Sequence, residues 1–340
     1  MIGQLAVMAF SVTDTLVASH FADTALAALA VASATYVTVH ISLMGILQAL
    51  LPVWAELQGA QRYADVGRSL RQALYLWGII SLVGMAVLLY PAPLLNWTHV
   101  PTELQQEIRD YLNIVAWGVP ASLLFRMYST LNQSLGKPKL VTWIQILALG
   151  IKIPLSILLV LGISDWITPA GLTGCARATL IVTLLMSTAA LSILYRRSFY
   201  KPYRLWAPME KPHIPTLLHF VRLGLPSGLA IGVEVTSFTL MSLFIARLGV
   251  VATASHQIVS NMTAVLYMVP LSLSIASSSR VSYWIGAGQS RQARRALSTG
   301  MSLVMIMCLS LSALMIWQHE QVAQIYSQSP EVATLAATLL

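Results

Sequence analysis

The sequence is poor in charge. Asp, Glu, Lys and Arg make up 9% of its 340 residues, against roughly 25% in a soluble domain. A chain with so few charges cannot clothe a surface in water, which excludes an ordinary soluble enzyme or binding module. Cysteine is nearly absent: Cys175 and Cys308 both fall in apolar helical sequence, so neither a disulfide framework nor a thiol centre is expected. HExxH, GxSxG, a phosphate-binding P-loop and CxxC are all missing. No catalytic constellation remains, and the chain is expected to be neither an enzyme nor a cofactor binder. The opening MIGQLAVMAF has no positive n-region and no small-residue cleavage pattern, so it reads as a membrane span and not as a leader.

Apolar residues are abundant, at 57% with a mean hydropathy of +0.73. They fall into runs that match the roughly 20 residues needed to cross a bilayer. Helical spans are expected at 1–20, 34–55, 72–90, 111–132, 140–162, 173–195, 217–246, 255–284 and 297–317. Pro330 and Glu331 open a tenth apolar stretch that reaches Leu340. So many apolar runs leave no polar shell to bury them, and the expected class is an all-α polytopic membrane protein.

Charge sets the orientation. The net charge is +8, which in a soluble protein would suggest nucleic acid. Here 13 of the 20 Lys and Arg sit in alternate connections: Arg62, Arg68 and Arg71; Lys137 and Lys139; five between 196 and 216; Arg291, Arg294 and Arg295. The opposite connections are nearly free of cations, with Arg109 and Arg247 as exceptions. By the positive-inside rule the amino terminus and the basic linker at 196–216 are cytoplasmic, and no nucleic-acid partner is expected.

The linker separates two arrays of similar order. Gly59 and Gly286 close comparable helices before comparable basic turns, and Pro101 and Pro330 open comparable approaches to the next span. A shift of six helices leaves both halves in the same orientation, a parallel repeat. The expected organisation is a first lobe over 1–195, a cytoplasmic linker over 196–216, and a partial second lobe over 217–340. The first helix is short at its start, and three helices of a twelve-helix plan are missing.

Ionisable residues inside spans are costly and mark pairing or function. Asp14 lies among Ser11, Thr13 and Thr15, which offer hydrogen bonds or cation ligands. It is either a carboxylate satisfied by neighbouring helices or a proton or sodium site facing a cavity. Glu234, in IGVEVTS, poses the same choice. Lys152 needs a carboxylate or water, and Asp14 is the natural partner; an ion pair and a transport role are both open. Arg126 and Arg280 lie near cytoplasmic helix ends and read as snorkelling anchors. Tyr36, Tyr267 and Met262 are candidates for lining an amphipathic cavity. Pro120, Pro154, Pro226 and Pro270 are expected to kink helices.

In order and spacing, several stretches resemble the multidrug and toxic compound extrusion (MATE) family. They are VTDTLVASHFADTALAALAVAS from Val12 to Ser33, LPVWAELQGAQR from Leu51 to Arg62, LNQSLGKPKLV from Leu131 to Val141, and GLTGCARAT from Gly171 to Thr179. In the second half they are RLGLPSGLAIGVEV from Arg222 to Val235, ASHQIVSN from Ala254 to Asn261, and VSYWIGAG from Val281 to Gly288. The resemblance implies two six-helix lobes around a central cavity in a bacterial inner membrane, working as a monomer. It implies export of amphipathic, often cationic compounds by alternating access, in exchange for sodium ions or protons. Asp14 then matches the first-lobe coupling carboxylate, and Glu234 the seventh-helix carboxylate of the second-lobe cation site. One departure stands out: Lys152, Ile153 and Pro154 replace the family's asparagine-containing NIP turn. A lysine there can stand in for a bound cation. The alternatives are a flippase for a lipid-linked intermediate and a non-transporting membrane scaffold.

Overall fold

The computed structural model describes residues 2–19, 23–91, 102–162, 169–246 and 250–326. The described residues form eleven α-helices: α1 (Ile2–Ser19), α2 (Asp23–Gln48), α3 (Leu51–Gly59), α4 (Tyr63–Leu89), α5 (Thr102–Ala116), α6 (Val119–Ser134), α7 (Pro138–Leu161), α8 (Gly171–Arg196), α9 (Ile214–Ala246), α10 (Val250–Gly286) and α11 (Ser290–Tyr326). Seven stretches are long and apolar enough to cross a membrane, and the bent α5–α6 pair makes an eighth. In α1 the apolar segment is shorter, Met8–Val17. The expected tenth stretch and the loop around Asp165 lie outside the described residues.

Helices reach further into the polar connections than the hydropathy pattern implies. Helix α4 starts at Tyr63 and α11 at Ser290, so Arg68, Arg71, Arg291, Arg294 and Arg295 are helical. Arg, Gln and Ala are strong helix formers, and nothing in these turns stops propagation. The acidic connection around Glu107 is also helical. In α5, Ile108, Tyr111, Leu112 and Val115 are buried while Gln106, Glu107 and Asn113 are exposed, a one-sided apolar face at helical spacing.

Proline breaks one span where expected. Pro120 sits in the first turn of α6, and α5 and α6 meet at a 48° bend. Breaks in a membrane helix are tolerated where neighbouring helices supply polar partners to the backbone around them. Trp77 Nε1 of α4 donates to the Pro120 carbonyl at 2.9 Å, and Ser187 Oγ of α8 donates to that of Ala121.

The chain divides into two compact units, one from Ile2 to Gly232 and the other from Val233 onward. In the first, α7 packs along α8 and α1, while α5 and α6 sit against α2, α4 and α8. Lipid removes the hydrophobic drive for helix association, so close packing relies on small residues. Gly224, Gly228 and Gly232 repeat at four-residue spacing on α9. A Cβ added at Gly228 would lie 2.6 Å from the Ser42 carbonyl, and one at Gly224 would lie 2.7 Å from the Ile46 side chain of α2. In the second unit α10 packs along α11, with Gly300 set against Ser277.

The linker at 196–216, read from sequence as a basic cytoplasmic connection, is fastened to the first unit. Ser198–Tyr203 forms a 3-10 turn, and Arg204 adopts φ 47° before the chain turns toward α9. Tyr200 donates to Asn132 Oδ1 at 2.6 Å, and Tyr203 donates to Gln58 Oε1 at 2.9 Å. Arg71 donates to the Arg204 carbonyl at 2.6 Å and to Glu210 at 3.0 Å, while Arg68 reaches Glu210 at 2.6 Å. Hydrogen bonds from Arg68 and Arg71 hold the Glu210 carboxyl below the usual glutamate range. Gln72 closes the strap by donating to the Lys211 carbonyl at 3.0 Å and accepting from the His213 amide at 2.8 Å.

The strap lies directly on α4, because a Cβ at Gly67 would run into the Tyr203 carbonyl. Gly67→Ala is therefore expected to lower stability by about 1–3 kcal/mol through overpacking. Gly78→Ala on the same helix meets open space and is expected to be neutral or stabilising, since Ala is the better helix former by roughly 1 kcal/mol. Thermal unfolding of the two purified variants checks the difference.

Candidate functional site

Three helices of the first unit converge on one ionic centre. Helix α1 supplies Asp14 from within its apolar segment. Helix α7 supplies Lys152 and, one turn on, Ser156; α8 supplies Cys175 and, one turn on, Thr179. Each pair is spaced i, i+4 and so shares a helix face. The approach of α8 to α7 depends on Gly174, where a Cβ would collide with the Leu159 carbonyl. The Ala170 amide donates to that same carbonyl at 3.2 Å. Close approach at this end of α8 brings Thr179 within reach of Lys152.

The contact is tight and buried. Lys152 Nζ lies 2.8 Å from Asp14 Oδ2, with Lys152 1% and Asp14 8% exposed. The same ammonium donates to Thr179 Oγ1 at 2.6 Å and lies 5.6 Å from the Phe10 ring centroid. Ser156 Oγ is 3.4 Å from Asp14 Oδ1, and Thr179 Oγ1 is 3.4 Å from Oδ2. Cys175 Sγ faces the Asp14 carbonyl at 3.9 Å. Isolated buried ions each carry a desolvation penalty of several kcal/mol, which mutual attraction offsets only when the remaining donors and acceptors are also satisfied. Lys152, Thr179 and Ser156 satisfy both carboxylate oxygens.

The partners differ from those the α1 sequence offered. Thr13 returns its hydroxyl to the Ala9 carbonyl at 2.7 Å, and Thr15 to that of Ser11 at 3.0 Å. A threonine in a helix reaches its own i−4 carbonyl more easily than a neighbouring side chain. The hydroxyls that meet Asp14 come from Ser156 and Thr179, neither of which was singled out from sequence. Their spacing from Lys152 and Cys175 was the available signal.

A second polar group lies between α2 and α6. Tyr36 stacks on His40 with centroids 5.3 Å apart, and His40 Nδ1 is 3.4 Å from Ser122 Oγ. One turn beyond Ser122, Arg126 is partly buried, and its Nε has no hydrogen-bond partner among the described residues. Arg126, read from sequence as a snorkelling anchor, thus has part of its guanidinium head buried, on a helix that packs against α2. Arg280, the other residue read as an anchor, lies on α10. It is exposed and lies over Trp284 and Tyr283, at 5.1 and 5.7 Å from the ring centroids.

In the second unit Glu234 is exposed on α9, with Tyr267 of α10 beside it. Met262 stands partly exposed on α10. No salt bridge reaches Glu234 among the described residues. No group of three His, Cys, Asp or Glu able to hold a metal is found among them either. The two carboxylates singled out from sequence thus have opposite surroundings. Asp14 is neutralised by a lysine, and Glu234 is open.

The MatE family model matches residues 1–158 and 226–340. The chain belongs to the MatE family. Over 340 residues this MatE chain is 35% identical to the probable multidrug resistance protein NorM of Aromatoleum aromaticum, covering all of its own length and 73% of the relative. It is 33% identical over 341 positions to the protein of the same name from Chromobacterium violaceum, with the same coverage. The crystal structure of the eukaryotic MATE transporter AtDTX14 superposes with a TM-score of 0.87 over 98% of this chain and 74% of that one. Its 19% identity speaks for a common fold. Membership makes this a multi-pass membrane transporter and not an enzyme.

The hydroxyl of Thr179 is part of the ionic centre, so Thr179→Val is expected to destabilise the protein by about 1–3 kcal/mol, the cost of leaving a buried donor short of an acceptor. Thr188→Val, on the same helix but exposed and bonded only to the Leu185 carbonyl, is expected to change little. Unfolding midpoints of the two variants in detergent give the comparison.

Proposed function

We propose that the protein is a secondary active antiporter of a bacterial inner membrane, exporting amphipathic, often cationic compounds in exchange for sodium ions or protons. The observation that carries this reading is the alignment across the whole chain with relatives named as probable multidrug resistance proteins. The absence of nucleotide-binding and catalytic motifs from the sequence makes an ion gradient the natural energy source. Two lobes of a six-helix plan alternate between cytoplasmic and external openings. The amino terminus and the strap at 196–216 lie on the cytoplasmic side, and the working unit is a monomer.

The two carboxylates, Asp14 and Glu234, are the coupling positions, and of the two Glu234 is the one open to an exchangeable ion. An ionisable group in an apolar helix changes the energy of a conformation when its charge is taken up or released, and a ligand shifts an equilibrium only through such a difference. Glu234, exposed and beside Tyr267, is available to an exchangeable ion. Tyr36, Tyr267 and Met262 are candidates to meet the amphipathic substrate, for which aromatic and thioether surfaces suit varied shapes. A scaffold without transport would hold the carboxylates in fixed salt bridges or turn them to lipid, and loss of export in Glu234→Gln separates the two readings.

The test is export from proteoliposomes with sodium and proton gradients imposed separately. Glu234→Gln is expected to lose most gradient-driven export while retaining substrate binding, and Asp14→Asn to lose part of it. Unchanged export in both variants contradicts the assignment of the carboxylates.

A further inference from the structure

We infer that Lys152 is a resident counter-ion: its ammonium occupies the place at Asp14 where an exchangeable cation would bind, so the first unit takes up no sodium ion. The inference deepens the proposed function and rests on its reading of Asp14 as a coupling position.

Three observations support it. The ammonium is 2.8 Å from Asp14 Oδ2 and donates to Thr179 Oγ1 at 2.6 Å, so the polar groups around the carboxylate are arranged about a nitrogen cation. The second oxygen, Oδ1, faces Ser156 Oγ at 3.4 Å. Lys152 is 1% exposed, and the apolar helices α1, α7 and α8 enclose it, so the amine has no aqueous position to retreat to without moving a helix. The Phe10 ring, 5.6 Å from Nζ, closes a further side.

A tethered cation differs from a soluble one in a simple way. It is covalently held, so its local concentration does not depend on the ion gradient, and dilution cannot remove it. A second unit charge placed about 4 Å from the ammonium would bind roughly a thousandfold more weakly at an effective dielectric of about 20. Sodium therefore fails to compete at Asp14 at ordinary salt concentrations. What remains at this site is a charge-neutral pair that opens or closes as a unit, and sodium dependence in this protein belongs to carboxylates outside it, with Glu234 as the described candidate.

Removing the amine should convert the position into a cation site. In Lys152→Gln the carboxylate, Thr179 and Ser156 keep their oxygens while the resident charge is gone. The experiment measures the unfolding midpoint of the purified protein in detergent in sodium chloride and in choline chloride at equal ionic strength. Lys152→Gln is expected to gain a sodium-specific rise of about 3 °C at a sodium concentration some tenfold above its dissociation constant. The paired variant Asp14→Asn with Lys152→Gln, which leaves no unpaired ion, is expected to lose that gain. The wild type and this paired variant should then show the same sodium response as each other.

The inference is overturned if the wild type shows a sodium-specific rise that the paired variant lacks, since sodium would then bind beside the lysine. It is also overturned if Lys152→Gln folds and shows no sodium response of its own. Should Lys152→Gln not fold, the comparison of wild type with the paired variant decides alone: equal responses support the inference and unequal ones refute it. Because the readout is ion binding, a negative transport assay leaves the result standing, and a negative binding result leaves export through Glu234 intact.

Discussion

A lysine ammonium sealed against a carboxylate inside an apolar helix bundle is the constraint on which the first unit depends. Neither ion is tolerable alone at that depth. Each therefore dictates where the other's helix must lie, and the threonine and serine that complete the set fix α8 and the far turn of α7 as well. The glycine at 174 is a consequence of the same demand, because α8 must come close enough to α7 for Thr179 to reach the amine. The polar centre thus supplies register and orientation to helices whose outer faces, rich in exposed residues such as Leu16, Leu147 and Leu184, could slide against lipid in many ways.

The same logic, in a wetter setting, shapes the strap between the halves. Its basic composition suggests a loose cytoplasmic connection. Instead Glu210 draws Arg68 and Arg71 together, and the linker's carbonyls and amides are taken up by Arg71, Tyr75 and Gln72 of α4. The strap thereby sets where α9 begins. Farther along α9 Pro226 interrupts the backbone ladder, and a run of glycines lets the helix lie close to α2.

Most of the architecture was legible in the sequence, because scarcity of charge makes each apolar run and each isolated ion conspicuous. The positions of Asp14 and Lys152 within those runs were enough to pair them. Helix ends were less legible, since Arg, Gln and Glu extend a helix past the apolar core as readily as they form a loop. Thr179 and Ser156 were overlooked because hydroxyls are common in such helices and usually bond their own backbone, as Thr13 and Thr15 do. The glycines at 224, 228 and 232 carry a small-residue repeat at four-residue spacing that went unread beside the more obvious Glu234. Contacts of the strap could not be read at all, because Tyr200 meets Asn132 and Arg71 meets Glu210 across long stretches of chain.

The central claim, that Asp14 and Lys152 act as one pair and not as two separate buried groups, is tested most directly by a double-mutant cycle on unfolding free energy. Asp14→Asn and Lys152→Met are each predicted to cost about 3–5 kcal/mol, because each leaves its partner buried and uncompensated. The double variant is predicted to be more stable than either single one, with most of the loss recovered. Losses that simply add in the double variant would contradict the account.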